Sequence, residues 1–324
     1  GILINNADGN TVKGNLIGTD VTGTLDLGNS ITGIFVTNGA GNNTIGGLAA
    51  ADRNVIAGNS DDNIKIEATA GSGNTIIGNY IGVDALGTSV LGNGGSGIDI
   101  QANGNTVGGS AAGARNIISG SLYNGIVVSG DNNTIQGNYI GTDVSGTVDL
   151  GNGRNGVWIN GGSNNLLGGT DAGAGNLIYG NERNGVLISN GTPTGNTVKG
   201  NLIGTDATGT LDLGNGFTGI FVTNGAGNNT IGGLTAGDRN VISGNGDDNI
   251  KIGATAASGN TIIGNYIGVN AAGTAVLGNG GSGIDIQADG NTVGGTAAGA
   301  GNIISGSLYN GVVVSGDSNT IQGN

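Results

Sequence analysis

Apolar residues along this chain fall in short beats separated by clusters of Gly and Asn, and three beats complete a unit before the pattern starts again. In residues 153 to 181 the beats are Val157-Trp158-Ile159, Leu166-Leu167 and Leu177-Ile178, with GG, GGTDAGAGN and YGN between them. Beats this short, punctuated by turn-forming residues, predict strands of three to five residues. Three such strands per unit describe one coil of a parallel β-helix with three sheets. Aligned on its G-[IV]-x-[IV] tetrads, the chain divides into ten coils of 28 to 34 residues (1 to 29, 30 to 59, 60 to 93, 94 to 121, 122 to 152, 153 to 181, 182 to 215, 216 to 245, 246 to 279 and 280 to 307) plus the fragment 308 to 324. Period-two alternation sends Ile2/Ile4, Ile34/Val36, Ile64/Ile66 and Ile98/Ile100 inward, joined by Val12, Ile45, Ile76 and Val107 from the second strand. About four aliphatic side chains per coil then form a narrow continuous core.

The phrase NTVKGNLIGTDVTGTLDLGN at residues 10 to 29 returns at 196 to 215 with one change, Val21 to Ala207, and looser copies begin at Asn74, Asn133 and Asn260. Coils ending in a GTDxxGTxxLGN loop alternate with coils carrying a loop such as GGLAAADRN before the third strand. Pairs of coils make a repeat of roughly 62 residues, and three pairs make a superrepeat of 186: residues 10 to 138 and 196 to 324 differ at 17 of 129 positions. The expected organisation is therefore one continuous β-solenoid over 1–324, with superrepeat copies 10–195 and 196–324, rather than two domains.

An Asn precedes the second strand of every coil: Asn10, Asn43, Asn74, Asn105, Asn133, Asn165, Asn196, Asn229, Asn260, Asn291 and Asn319. A second column, from Asn15 and Asn54 to Asn302 and Asn324, precedes the third strand. Stacked about 4.8 Å apart, such amides can hydrogen-bond from coil to coil as an asparagine ladder. Asn and Gly also tolerate the left-handed angles of sharp corners.

Composition narrows the function. The chain has 75 Gly and 1 Pro among 324 residues, without a triplet period, which excludes collagen and favours turn-dense β structure. It has no Cys, Met or His, which removes disulfides, thiol chemistry, Cys/His zinc sites and imidazole catalysis. No cofactor is expected. A net charge of -13 argues against nucleic acid or anionic membrane as partner, and no apolar run is long enough to insert in a bilayer. Few charges, low pI and polar repeats suit a secreted protein, extracellular or at a bacterial cell surface, and a start at Gly1 reads as a piece of something longer.

The motifs GNTIIGNYIG (73 to 82), NGIVVSGDNNTIQGN (124 to 138) and AGAGNIISGS (298 to 307) resemble the right-handed parallel β-helix repeats of the pectate-lyase-like superfamily, and more narrowly the tandem arrays of large secreted bacterial surface proteins. The resemblance covers the whole chain and implies the hand of the helix. It leaves activity open, since the superfamily holds polysaccharide lyases, glycosidases, phage tailspikes and adhesins.

Candidate chemistry is sparse. Asp61, Asp62 and Lys65, repeated as Asp247, Asp248 and Lys251, set paired carboxylates and an amine beside the first strand. They are similar to the polygalacturonase arrangement, but that family's His is absent and its RIK segment is NIK in this chain. The loop aspartates Asp20, Asp143 and Asp206 are weak calcium candidates, the competing role being a turn anchor that accepts backbone N–H bonds. The outward middle residue of the first strand runs Leu3, Phe35, Lys65, Asp99, Val127, Trp158, Leu187, Phe221, Lys251, Asp285 and Val313. The preceding turn adds Tyr123, Arg154, Arg183, Phe217 and Tyr309. An outward stripe of aromatic and aliphatic residues marks a contact face, here Phe35, Tyr123, Arg154, Trp158, Arg183, Leu187, Phe217, Phe221 and Tyr309, suited to a protein neighbour or to sugar rings.

On the sequence alone the expected function is a non-enzymatic structural or adhesive segment. It would form a stiff rod of about 50 Å at a coil spacing of about 4.8 Å, contacting further copies of itself end to end or laterally, or cell-surface glycans. The alternative is a polysaccharide-active β-helix enzyme or carbohydrate-binding module using the same face.

Overall fold

A computed structural model describes residues 1 to 324 and places them in three parallel sheets running the length of the molecule. The first sheet has eleven strands, beginning with Ile2–Asn5, Ile34–Thr37 and Ile64–Ile66; the second has eleven, beginning with Thr11–Val12 and Thr44–Gly46; the third has ten, beginning with Leu16–Ile17 and Val55–Ile56. Each strand pairs in parallel with the equivalent strand one coil before and one coil after, so the chain winds as a single-stranded β-solenoid. The only helices are three single 3-10 turns, Ala50–Asp52, Ala112–Ala114 and Ala236–Asp238. No helix is long and apolar enough to cross a membrane.

The core follows the alternation of the strands. One coil contributes Ile34, Val36, Ile45 and Ile56, the next Ile64, Ile66, Ile76 and Ile81, and all eight are sealed from solvent within one apolar cluster of 42 buried residues. Two of the four come from the first sheet and one from each of the others. Each such side chain contributes about 1.5–3 kcal/mol on burial, and its packing partners lie in the coils above and below. Ile2, in the first coil, is partly covered.

Polar corners close on the same principle. Asn43 Nδ2 donates to Asn74 Oδ1 and Asn74 Nδ2 to Asn105 Oδ1, each at 3.0 Å. The same oxygens accept the backbone N–H of the preceding coil's Asn. At Asn133 only the backbone rung survives, and its Nδ2 has no partner in the protein. The second column is continuous, as in Asn54 to Asn79 to Asn116 to Asn138. Left-handed backbone sits one residue before the first ladder, at Asn42, Asn132, Asn164 and Asn228, rather than on the ladder residues themselves. A third corner, ahead of the first sheet, carries amide rows that the sequence columns omit. Asn152 donates to Asn181, Asn181 to Asn215 and Asn215 to Asn245, toward the C-terminal end. Beside them Asn184 donates back to Asn155 and Asn155 back to Asn124, each at 2.9 Å.

The GTDxxGTxxLGN loops fold back as small hairpins, bridged at Thr19 and Asp26, Thr142 and Asp149, and Thr205 and Asp212. Glycine is obligatory where a corner turns under the next coil: at Gly46, with φ of 95°, an added Cβ would run into the carbonyl of Ile77.

Two substitutions separate the contributions. Ile98→Ala removes a fully buried core side chain and is expected to cost about 2–5 kcal/mol of unfolding free energy in denaturant titration. Asn79→Ala strips the partners of the Asn54 amides and of the Ile45 carbonyl, at about 1–3 kcal/mol for each group left unpaired. A midpoint unchanged by Asn79→Ala would contradict a structural role for the ladders.

Candidate functional site

The first sheet presents its middle residues outward in one row. Its register pairs Phe35 with Lys65, Lys65 with Asp99, Asp99 with Val127, Val127 with Trp158, Trp158 with Leu187, Leu187 with Phe221, and Phe221 with Lys251. Phe35, Trp158, Leu187 and Phe221 are half-buried; Arg154, Arg183, Tyr123, Phe217 and Tyr309 stand exposed at the adjoining turn. The contact-face residues therefore share one side of the molecule. Asp99 and Val127 point outward yet are buried, because larger neighbours on either side close over them. The result is a valley in the middle of the face.

That valley is a cleft of about 390 Å³. Asp62 and Asp99 lie at one end and Trp158 at the other, with Tyr123, Gln101 and Asn124 along the sides. The Arg154 guanidinium stacks on the Tyr123 ring at 4.4 Å, and Trp158 Nε1 is anchored on Ser189 Oγ at 2.9 Å, which fixes the indole plane. The adjacent aspartates part company. Asp61 is exposed in a neighbouring cleft with Phe35 and Lys65, whereas Asp62 turns into the valley and its Oδ1 accepts the Ser96 N–H at 2.7 Å.

Burial pushes the Asp62 carboxyl up to about 6. The Ser96 amide opposes the shift, while the charges of Asp99 and Asp61 add to it. Burial also raises Asp99, against the pull of Lys65 Nζ at 3.5 Å from Asp99 Oδ2 and of Gln101 Nε2 at 2.7 Å. Two carboxyl groups thus face one cleft with different company: Asp62 has no bonded cation, and Asp99 has Lys65 and an amide.

The second copy differs. Lys251 Nζ clamps both carboxylates, Asp248 Oδ2 at 3.2 Å and Asp285 Oδ2 at 3.1 Å. Burial pulls the Lys251 ammonium down, but the bonds to Asp285 and Asp248 outweigh it and hold it above its ordinary range. Burial still raises Asp248. Asp247 remains at the surface with Phe217, Phe221 and Arg183. Behind both copies the third-corner amide row breaks, leaving Asn63 Nδ2, Asn93 Oδ1 and Ser121 Oγ, and equally Asn249 Nδ2, Asn279 Oδ1 and Ser307 Oγ, buried without protein partners.

Asp99, Gln101 and their copies Asp285 and Gln287 were outside the candidate catalytic set. The signal for the two aspartates was the row itself, which sets each acid opposite a Lys. The calcium candidates act as turn anchors. Asp20 Oδ1 accepts the N–H groups of Thr24 and Leu25 and its Oδ2 the Thr22 hydroxyl; Asp206 does the same with Thr210, Leu211 and Thr208, and Asp143 with Thr147, Val148 and Ser145. The Thr22 hydroxyl first, then those amides, hold Asp20 well below the ordinary carboxylate range. These oxygens point at donors, and no group of three acidic side chains gathers around any of them.

The fold belongs to the class of right-handed parallel β-helices, and solved members of that class match nearly all of the chain. The Dettilon tailspike protein matches over 98% of this chain and 60% of its own, at 15% identity and a TM-score of 0.51. The mannuronan C-5 epimerase AlgE6 A-module of Azotobacter vinelandii matches over 94% and 78%, at 16% identity and 0.47. The periplasmic alginate epimerase AlgG matches over 90% and 70%, at 12% identity and 0.35. At these identities the likeness is one of fold. No protein-family model and no curated protein sequence matches the chain. The solved matches nevertheless correct the expectation of a non-enzymatic structural or adhesive rod, and with it the expectation that the chain is not an enzyme. Two of the three are named as epimerases, one of mannuronan and one of alginate, so the fold gives no ground for a non-enzymatic reading.

An Asp whose folded pKa of about 6 lies above the ordinary 3.8 favours the fold when protonated and opposes it when ionised. Asp62→Asn keeps the acceptor for Ser96 and removes the charge. The variant should match the parent's thermal midpoint below about pH 4, pull ahead between there and about pH 6, and hold a constant lead above. Equal midpoints at pH about 8 would show that Asp62 is not buried as a charge.

Proposed function

We propose that this chain is a polysaccharide-acting β-helix enzyme that lays an extended glycan along the first sheet and performs acid–base chemistry on it in the Asp62–Asp99 cleft. The observation that carries this is the pairing of two buried carboxyl groups of unequal environment in a cleft walled by Trp158 and Tyr123. Aromatic faces suit the apolar faces of sugar rings, and the coil pitch of about 4.8 Å repeats contacts at the scale of successive sugar units. Asp62, protonated up to about pH 6, donates a proton to the sugar oxygen that leaves. Asp99, whose charged form Lys65 and Gln101 favour against the cost of burial, supplies the negative charge or activates the water. Two carboxyl groups in these roles are what glycosidic cleavage requires, and no His is needed. The non-cytoplasmic setting in which such polymers occur fits the few charges, low pI and polar repeats, and the reaction calls for no cofactor.

The test is incubation with a panel of acidic and neutral glycans, including mannuronan, polygalacturonan and a β-glucan, reading new chain ends and changed sugar units. One class should be converted, with a rate that falls as pH rises past about 6 because the acid form of Asp62 is lost. Asp62→Asn should lower turnover by about 10²–10⁴-fold, and Trp158→Ala should raise KM more than it lowers kcat. A panel neither converted nor bound overturns the proposal.

A further inference from the structure

The superrepeat places two equivalent sets on one face. Phe35, Lys65 and Asp99 recur as Phe221, Lys251 and Asp285 in the same row of the first sheet, six coils further on, at roughly 29 Å for a pitch of about 4.8 Å. Each set opens a cleft beside its Phe and Lys, of about 340 Å³ at Phe35 and about 370 Å³ at Phe221. Between them the row continues without a break through Val127, Trp158 and Leu187.

Building on the glycan-acting function above, we propose that the two copies are unequal half-sites for one polysaccharide chain: the first copy performs the chemistry and the second holds the same chain about six coils away. The division follows from what differs. In the second copy Lys251 locks both Asp248 and Asp285, so neither carboxyl is left without a cation, while in the first Lys65 reaches only Asp99 and leaves Asp62 to change its protonation. The second copy adds aromatic surface instead, with exposed Phe217 where the first has Ile31. Glu67, which accepts from the Thr37 and Thr69 hydroxyls, becomes Gly253, so the second cleft also loses an anionic wall. Two sites of modest affinity joined by one polymer bind it with an effective concentration set by the fixed span between them.

Calorimetric titration with length-sorted oligomers of mannuronan and of a β-glucan tests this. Oligomers shorter than the span should bind at two per protein chain. Those longer than the span should bind at one per chain and about 10²-fold tighter. Phe221→Ala with Lys251→Ala should leave one site for short oligomers and abolish the step with length. Phe217→Ala, at an exposed turn, should reduce the step without touching a strand. One site for short oligomers in the parent, or a length step that survives in the double variant, overturns the half-site proposal while leaving the glycan-acting function in place. No binding at any length brings down both.

Discussion

Everything in this molecule depends on hydrogen bonds that each coil can complete only with the coil beside it. The strands have no partners within their own coil, and the amides of the two sequence-legible ladders accept from the coil before and donate to the coil after. A corner Asn is buried because its next-coil counterpart satisfies it, and that counterpart is buried for the same reason. Stability then accumulates by nearest-neighbour terms along one dimension. The inward and corner positions are constrained in every coil, so variation is confined to the outward row and the loops.

That constraint explains what was legible in the sequence. A column of Asn or of inward Ile repeats because its neighbours above and below demand the same residue, so strands, coil boundaries, the outward row and two ladders could be read from spacing. The third corner was not legible. Ser121 and Ser307 interrupt its column, and a long hairpin loop separates Asn29, Asn152 and Asn215 from the strands before them, whereas Asn59, Asn181 and Asn245 follow their strands almost directly. The division of Asp61 from Asp62 was equally hidden, since adjacent residues on a turn do not announce which one swings into a valley. The depth of that valley comes from the sizes of Lys65, Tyr123 and Trp158 around Asp99 and Val127, a property of packing rather than of period.

The cleft contrasts with the rest of the molecule in how polar groups are treated. Away from the two breaks in the third corner, buried amides other than Asn133 are paired, and most cations are committed: Lys13 to Asp52, Lys199 to Asp238, and Arg53, Arg115 and Arg239 to the rings of Tyr80, Tyr139 and Tyr266. At Asp62 a carboxyl is buried without a cation, and behind it lie unpaired corner atoms. Such local cost survives because the stack on either side over-determines the backbone. A solenoid suits this purpose, since coils above and below hold a strained coil in place.

The backward-running amide row has a consequence for the cleft. Thr218 N–H donates to Asn184, Asn184 to Asn155 and Asn155 to Asn124, and Asn124 stands in the cleft wall near Asp62, its own Nδ2 donating to no protein acceptor. Each amide in such a relay polarises the next, so the last N–H group is a stronger donor than an isolated Asn would be. Three coils of scaffold are thereby wired into one hydrogen atom at the cleft wall. An oxygen bound there would feel residues as distant as Thr218 without touching them.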